Sequence, residues 1–252
     1  MTFSIVIPMY NSAKTIEKAF YSCIEQTLAP LEIIIIDDGS SDISISIVKY
    51  LKKNYIGDIH IIIFQFGINT GPSRARNKGW SLAKGEYIAF LDADDYFINN
   101  KLESLLEILQ SKEDIILLGH RAALHDQEYK INVEVKEITI FELLKENFST
   151  TPSVIIKREI SERFDEGMHY TEDHDLWLRV TDKYHSTYFY NNVLTIINRP
   201  VLSKGGQSSN LWEMRKGELV MYKKYCMRKS RIWKLPFLVL FSLSKHFYKW
   251  VR

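Results

Sequence analysis

Clusters of polar residues follow three apolar segments in the first half of the chain, and their residue types suit a metal site. The clusters are Pro8-Met9-Tyr10-Asn11, Asp37-Asp38-Gly39-Ser40 and Asp92-Ala93-Asp94-Asp95. Carboxylates held close together repel each other unless a positive charge lies between them, and a hard divalent cation with oxygen ligands is the usual solution. The third cluster therefore predicts a metal site, with a helix N-cap or a solvated turn as the alternative. The second cluster alone also fits a surface turn.

The segments before these clusters are predicted to be buried parallel strands. Runs rich in Ile, Val and Phe occur at residues 3–8, 32–36, 59–64 and 87–91, and segments with helical spacing lie between them at 12–25, 43–53 and 72–83. Asn11 or Ser12 is the predicted N-cap of the first helix. Strands that alternate with helices form a doubly wound parallel sheet, which binds ligands beyond the carboxyl ends of its strands. We therefore expect the three clusters to meet at one edge of an α/β sheet.

The second half of the chain departs from this alternation. A helix is predicted over residues 138–148 and a strand over 152–157, and an acidic pair, Glu172-Asp173, begins a further helical segment. Acidic residues suit the positive end of a helix dipole, so the pair also fits a structural role. Trp177 is predicted to lie in the core.

Cysteine content and charge indicate the setting. Cys23 and Cys226 are too few and too far apart for a disulfide framework or a zinc site, and no signal peptide is apparent, so a cytoplasmic protein is expected. The charge is uneven, because 24 basic and all 31 acidic residues lie at or before Glu218 and nine basic residues follow it. Such asymmetry indicates a partner of opposite charge, or only a solvated basic helix.

The C-terminal segment combines this basic charge with apolar residues. Residues 235–243 form an apolar run of nine residues, flanked by Lys, Arg and the aromatic residues Trp233, Phe247, Tyr248 and Trp250. The run is too short to cross about 30 Å of hydrocarbon as a helix. It is predicted to lie on an anionic membrane surface, with a helix packed against the rest of the protein as the alternative.

Five motifs, taken in order, resemble the family 2 glycosyltransferases of the GT-A fold, of the bacterial surface-polysaccharide type. The resemblance is close over residues 3–112 and looser over 150–210. The motifs are Ile5-Val6-Ile7-Pro8-Met9-Tyr10-Asn11, Ile36-Asp37-Asp38-Gly39-Ser40-Ser41-Asp42, Gly71 through Ala75-Arg76-Asn77-Lys78-Gly79, Gly85 through Asp95, and Glu172-Asp173-His174-Asp175-Leu176-Trp177-Leu178-Arg179. The implied fold is α/β, a GT-A Rossmann-like, mostly parallel sheet flanked by helices, with a C-terminal helical extension.

The resemblance implies a nucleotide-sugar site, with a UDP-sugar as the expected donor. Asp94 would ligate Mn²⁺ or Mg²⁺, which stabilises the leaving diphosphate as a Lewis acid. Asp38 would accept a hydrogen bond from a uracil-like N–H, and Asp92 would meet the ribose. Arg76 would assist near the nucleotide, or be only a helix-surface arginine. The implied donor-binding residues are Pro8, Tyr10, Asn11, Asp38, Arg76, Asp92 and Asp95, the last supporting the metal site.

On the acceptor side, the resemblance gives Asp173 the role of general base and makes Glu172 the other member of the pair. Asp173 would take a proton from the acceptor hydroxyl as that oxygen attacks the anomeric carbon opposite the diphosphate, which inverts the anomeric configuration. A loop at residues 203–209 would close over the diphosphate, although it lacks the histidine that many relatives have. The acceptor is expected to be a lipid-linked saccharide.

We therefore predict a glycosyltransferase domain over residues 1–212, with a nucleotide-sugar-binding half at 1–112 and an acceptor-side half at 113–212. A basic, aromatic extension at 213–252 would hold it peripherally on the inner face of the cell membrane, with no nucleic acid as partner. The alternatives are a metal-dependent nucleotidyltransferase and a non-enzymatic module that binds sugar or polyanion. The former typically has a Gly-rich, basic loop after the first strand, where this chain has Pro8-Met9-Tyr10-Asn11.

Overall fold

The computed structural model describes residues 1–112, 114–125, 134–198 and 210–251, with side chains described as far as residue 244. The predicted loop at 203–209 lies outside these residues. The strands are β1 Phe3–Met9, β2 Glu32–Asp37, β3 His60–Gln65, β4 Tyr87–Phe90, β5 Tyr96–Phe97, β6 Leu117–Leu124, β7 Val135–Glu137, β8 Val154–Lys157 and β9 Thr187–Ile197. The helices are α1 Ile16–Ile24, α2 Ser44–Asn54, α3 Pro72–Leu82, α4 Lys101–Ser111, α5 Ile140–Lys145, α6 Glu172–Tyr184, α7 Leu211–Arg228 and α8 Leu235–Val251.

One mixed sheet runs through the described part of the chain, in the order β3-β2-β1-β4-β8-β6-β9-β5, with β7 also paired to β9. The strands β3, β2, β1 and β4 are parallel to each other. β8 is antiparallel to both β4 and β6. The first four strands along the chain lie within one residue of their predicted bounds. The apolar runs of β1, β2 and β4 are buried on both faces, as is typical of parallel sheets, whereas β3 is the half-buried edge strand.

Helices cover both faces of this sheet. Alternate residues of β1 point to opposite sides, so Ile5 and Ile7 join a core under α1, α2 and α4. Val6 joins a second core under α3, α6 and α7. The expected α/β architecture with helices on both faces is therefore confirmed.

The start of α1 differs from the prediction. Its N-cap is Thr15, and neither Asn11 nor Ser12 caps the helix. Residues 12–15 instead form a turn in which the Ser12 carbonyl accepts hydrogen bonds from the backbone N–H groups of Thr15 and Ile16, each at 3.0 Å. Asn11 is used elsewhere, between two loops of the site described below.

The helix α7 packs into the same core as α3 and α6. Met221 and Tyr222 are fully buried there, and the Tyr222 hydroxyl donates to the Leu144 carbonyl at 2.6 Å. Three of the basic residues after Glu218 form ion pairs with acids of the preceding chain: Lys224–Asp165, Arg228–Asp175 and Lys229–Asp182. The predicted division at residue 212 thus falls at the start of a helix that is continuous with the core.

The helix α8 lies against α7 by one face only. Leu235 and Leu238 are partly buried against the core, and the Ser242 hydroxyl donates to Glu218 Oε2 at 2.7 Å. No helix within the described ranges is both long and apolar enough to cross a membrane.

Candidate active site

The carboxyl ends of β1, β2 and β4 open into one cleft of about 950 Å³. Its far wall is the start of α6, together with residues 150–152 from the turn before β8. All the residues predicted to act in the site line this cleft: Pro8, Tyr10, Asn11, Asp38, Arg76, Asp92, Asp94, Asp95, Glu172 and Asp173. The structure therefore brings the predicted donor-side and acceptor-side residues into one cavity.

Asn11 joins the first two loops of the cleft. Its side-chain oxygen accepts a hydrogen bond from the Ser41 backbone N–H at 2.8 Å, and its own backbone N–H donates to Ser40 Oγ at 2.9 Å. Asn11 has a φ of 47°, a left-handed conformation that asparagine tolerates better than most residues. This geometry holds the exposed Tyr10 ring in the wall of the cleft.

Asp38 is buried and holds the loop before α3. Its Oδ1 accepts hydrogen bonds from the Thr70 backbone N–H at 2.8 Å and the Thr70 hydroxyl at 2.6 Å, and Oδ2 accepts from the Gly71 N–H at 2.8 Å. The next residue, Gly39, has a φ of +75°, and a Cβ there would lie 2.6 Å from the Ile68 carbonyl carbon. Glycine is therefore required for the two loops to meet. Within the described residues, Oδ2 accepts only this one hydrogen bond and keeps a second lone pair, which could accept the predicted hydrogen bond from a nucleotide base N–H. That contact stays a prediction.

The Asp94-Asp95 pair is attached to the end of β9. The backbone N–H of Asn198 donates to Asp95 Oδ1 at 3.0 Å, and its side-chain amide donates to the Asp94 carbonyl oxygen at 2.5 Å. Asp95 is buried, whereas Asp94 is partly exposed to the cleft. Asp95 thus supports the loop, and the Asp94 side chain faces the cavity.

Arg76 connects the two sides of the site. Its guanidinium donates to Asp92 Oδ1 at 2.8 Å and to Glu172 Oε1 at 3.1 Å, and the residue is only 5% exposed. Burial lowers the pKa of Arg76, but the charges of Asp92 and Glu172 outweigh it and hold the pKa above its ordinary value. The alternative that Arg76 is a helix-surface arginine is therefore wrong, because α3 turns this face toward the cleft.

The surroundings of Asp173 raise the pKa of its carboxyl group. Burial and the neighbouring Glu172 carboxylate raise its pKa to about 7, although hydrogen bonds from the His174 N–H and Asn147 and the charge of Arg76 oppose the rise. Its side chain is half-buried in the cleft wall. The preceding Thr171 has a φ of 58°, which costs about 1–3 kcal/mol in a non-glycine residue. Such strain is typical of functional sites, and here it sets the direction in which α6 begins.

The cleft as a whole is electronegative. Seven acidic residues line it, Asp38, Asp42, Asp92, Asp94, Asp95, Glu172 and Asp173, against one lysine, Lys14, and one arginine, Arg76. An anionic ligand entering this cavity needs added positive charge. No group of three metal-ligating side chains occurs in the described ranges. A divalent ion would therefore take Asp94 and complete its shell with ligand phosphate oxygens and water, as Mg²⁺ often does in nucleotide sites.

Three further residues shape the site and escaped the sequence analysis. Asn147 donates to Asp173, Asn198 holds the Asp94-Asp95 loop, and Thr70 binds Asp38. Each partner is at least 26 positions away in sequence, so no local pattern indicates it. Trp177, as predicted, lies in the core, and its indole N–H donates to the Ser149 carbonyl at 3.3 Å.

The architecture is that of known GT-A glycosyltransferases. S. aureus TarS 1–349, solved in complex with UDP-GlcNAc, aligns with a TM-score of 0.70 at 19% identity, over 90% of this chain and 67% of that one. The mannosyltransferase PcManGT from Pyrobaculum calidifontis, in complex with GDP-Man and Mn²⁺, aligns with a TM-score of 0.70 at 15% identity, over 96% and 73%. These likenesses define the fold class.

Sequence comparisons identify the family. The model described as Glycosyl transferase family 2 matches residues 4–164. An uncharacterized glycosyltransferase of Haemophilus influenzae is 34% identical over 158 residues, 62% of each chain. The amylovoran biosynthesis glycosyltransferase AmsB of Erwinia amylovora is 31% identical over 193 residues, 71% of this chain and 64% of its own. This chain belongs to glycosyl transferase family 2, and the matches span less than two thirds of these relatives' own lengths.

Proposed function

We propose that this protein is an inverting glycosyltransferase that moves a sugar from a nucleotide-sugar, a UDP-sugar, to a lipid-linked saccharide in polysaccharide or lipopolysaccharide assembly. One observation carries the proposal: Arg76 bridges Asp92 on the donor side and Glu172 on the acceptor side of a single cleft. Because one guanidinium binds both carboxylates, the donor side and the acceptor side of the cleft are held next to each other, as a reaction between two substrates requires. Family membership and the relative named for amylovoran biosynthesis support the polysaccharide assignment.

The donor half of the proposal rests on the three strand ends. Pro8 and Tyr10 would contact the nucleotide base, Asp38 would accept a hydrogen bond from it, and Asp92 would meet the ribose hydroxyls. The complex of TarS with UDP-GlcNAc supports a uridine donor, whereas PcManGT was solved with GDP-Man. A test with both UDP-sugars and GDP-sugars therefore decides which nucleotide the donor carries.

The excess of carboxylates in the cleft supports a divalent metal, Mn²⁺ or Mg²⁺. Asp94 would hold it, and PcManGT was solved with Mn²⁺. When bound, the ion would act as a Lewis acid on the diphosphate leaving group. Asp95 and Asn198 would keep the Asp94 loop in position during the reaction.

Asp173 would act as the base on the acceptor side. Its carboxylate would take the proton from the acceptor hydroxyl while that oxygen attacks the anomeric carbon from the face opposite the diphosphate. The C–O bond to the acceptor forms as the bond to the diphosphate breaks, so a single displacement inverts the configuration. A pKa of about 7 suits this role, because a base is most efficient when its pKa is near the working pH.

The exposed face of α8 supports attachment to an anionic membrane. Trp233, just before α8, and Phe237 and Leu240 within it are 67%, 66% and 65% exposed and lie on one side of the helix. Leu235, Leu238 and Ser242 face the protein on the other side. Lys223 and Arg231 are exposed nearby. An amphipathic helix of this kind binds in the plane of the interface and would bring the enzyme to a lipid-linked acceptor.

The proposal is tested by incubating the protein with a panel of UDP- and GDP-sugars, Mn²⁺ or Mg²⁺ and a lipid-linked saccharide extract, and measuring free nucleoside diphosphate. We expect release from a UDP-sugar that depends on the acceptor. Release of pyrophosphate from a nucleoside triphosphate and a sugar 1-phosphate, with no release of nucleoside diphosphate from the nucleotide-sugars, would instead identify a nucleotidyltransferase. Binding of a polyanion without any turnover of donor would identify a binding module.

A further inference from the structure

We propose that Asn147 is the positioning residue of the acceptor-side base, because its amide fixes the carboxylate of Asp173 toward the cleft. This inference rests on the proposed role of Asp173. Asn147 lies in the segment between α5 and β8, which the sequence analysis did not connect with the reaction. It is not among the residues that line the cleft, so its effect on the substrate would be exerted through Asp173.

The two oxygens of the Asp173 carboxylate are held from different parts of the chain. Asn147 Nδ2 donates to Oδ2 at 3.1 Å, and the His174 backbone N–H donates to Oδ1 at 2.7 Å. An ionised carboxylate only accepts hydrogen bonds, and each oxygen keeps a further lone pair. Two donors from separate elements fix the plane of the carboxylate, which either donor alone would leave free to rotate.

The position of Asn147 is set by the core and not by the carboxylate. The next residue, Phe148, packs against Gly119 so closely that a Cβ on this glycine would lie 2.3 Å from the ring. Ser149 Oγ donates to the carbonyls of His120 and Ser153, each at 2.9 Å. These contacts, and the hydrogen bond of the Trp177 indole to the Ser149 carbonyl at 3.3 Å, hold the segment without using the Asp173 carboxylate, so Asn147 has a fixed place from which its amide reaches Asp173.

A neutral donor is what this position requires. The charged groups acting on Asp173 are Glu172, beside it on α6, and Arg76, from α3. A lysine or arginine at position 147 would lower the basicity of the carboxylate, and an acid would repel it. The amide of Asn147 does not titrate, so it donates to the ionised form at every working pH and favours that form.

The test is the pH dependence of kcat/KM for the wild type, Asn147→Leu and Asn147→Asp. A base must be ionised, so wild-type activity should be full above a pKa of about 7 and should fall as pH drops through it. Asn147→Leu removes a bond that favours the ionised form, so its acidic limb should move up by about one pH unit. The near-isosteric Asn147→Asp should move it further. At alkaline pH, kcat should fall about tenfold while the donor KM is unchanged, since orientation is lost and donor binding is not.

The matched control is Asn54→Leu, which alters an asparagine at the surface end of α2 and should leave the profile unchanged. An acidic limb and a kcat in both Asn147 variants equal to those of the wild type would overturn the proposal. Asp173→Asn separates the hypothesis that Asp173 is the base from the hypothesis that Asn147 positions it. If it is inactive while the Asn147 variants are normal, only the positioning role fails. If it is fully active, the base assignment fails and the positioning role fails with it.

Discussion

At the scale of single residues, the two members of the acidic pair at the start of α6 have different partners. Glu172 is bound to Arg76, whereas Asp173 is bound to uncharged donors, the His174 N–H and the Asn147 amide. Burial and the neighbouring Glu172 carboxylate raise the pKa of Asp173. This difference in partners is why Asp173, and not Glu172, is the member of the pair that we propose as the proton acceptor.

Asp173→Asn keeps the shape of the side chain but removes the proton acceptor. We expect turnover to fall by roughly 10²–10⁴-fold, the usual contribution of a general base, with donor affinity unchanged. Steady-state rates and donor titration measure both quantities. Glu172→Gln should act differently, since it leaves Arg76 with one partner and should weaken donor binding as well. Normal turnover in Asp173→Asn together with an inactive Glu172→Gln would reverse the assignment within the pair.

Asp94→Ala should abolish transfer and leave the fold intact, because Asp94 faces the cleft and its backbone carbonyl, not its side chain, accepts the bond from Asn198. Nucleoside diphosphate release measures transfer, and circular dichroism measures the fold. Excess EDTA should silence the wild type, and Mn²⁺ or Mg²⁺ should restore it. Asp58→Ala, at an exposed aspartate before β3, is the control. Full activity in excess chelator would remove the metal from the mechanism.

The sequence predicted residues in contiguous motifs well and their distant partners poorly. Asp92, Asp94 and Asp38 stand directly after apolar strands, so their convergence follows from the topology of a parallel sheet. Asn147 acts through one hydrogen bond to a residue 26 positions away, and Asn198 through two hydrogen bonds to residues more than 100 positions away. Such contacts depend on how loops pack, which periodicity does not encode.

At the scale of elements, α6 and α7 are joined by a buried ionic cluster. Asp175 is fully buried and pairs with Arg179 Nε at 2.7 Å and Arg228 Nη2 at 3.0 Å. The pairing gives α7 a fixed position beside α6, the helix that carries Asp173. Gly217 of α7 adds a close approach, since a Cβ there would lie 2.9 Å from the Tyr170 carbonyl oxygen.

Asp175→Ala should destabilise the protein by about 3 kcal/mol, because removing one partner of a buried pair leaves its counter-charges uncompensated. The value lies at the low end of the usual range, since Arg179 and Arg228 both reach solvent. Denaturant unfolding measures the change. Asp182→Ala breaks the more exposed pair with Lys229 and should cost less than about 1 kcal/mol. Equal losses in the two variants would show that the Asp175 cluster does not join the helices.

Strands were easier to predict than helix ends. The runs of Ile, Val and Phe in β1, β2 and β4 fix both ends of each strand within one residue. The start of α1 was misplaced by four residues because Asn11 and Ser12 resemble caps in sequence, while Asn11 is bound to Ser41 on another loop. Side-chain oxygens near a helix start have several possible partners, and tertiary structure selects one.

At the scale of the whole molecule, the basic C-terminal segment has two parts, one packed against the rest of the protein and one partly exposed. Lys224, Arg228 and Lys229 are bound to acids of the preceding chain, so these charges stabilise the fold. Phe237 and Leu240 of α8 instead face solvent, being 66% and 65% exposed. Membrane binding and packing against the rest of the protein were the two alternatives for the C-terminal segment; in the structure α7 packs into the core, while α8 keeps one face exposed.

Replacing Trp233, Phe237 and Leu240 together by Ser should abolish binding to vesicles that contain anionic lipid. Each of these side chains contributes about 1.5–3 kcal/mol when fully buried, and each basic residue about 1 kcal/mol near the surface. Sedimentation with vesicles measures binding, which should weaken with added salt in the wild type. The control replaces Ile43, Tyr50 and Ile56, which are as exposed but lie on or beside α2. Equal binding by both triple variants, or no binding by the wild type, would contradict the membrane proposal.

The stereochemistry of the product tests the central claim most directly. In-line attack by an acceptor oxygen activated by Asp173 permits only inversion at the anomeric carbon. Nuclear magnetic resonance of the isolated glycoside, made from a donor of known anomeric configuration, should show the opposite configuration, with one nucleoside diphosphate released per bond formed. A product that kept the configuration of the donor would contradict the single displacement and the role of Asp173 as its base.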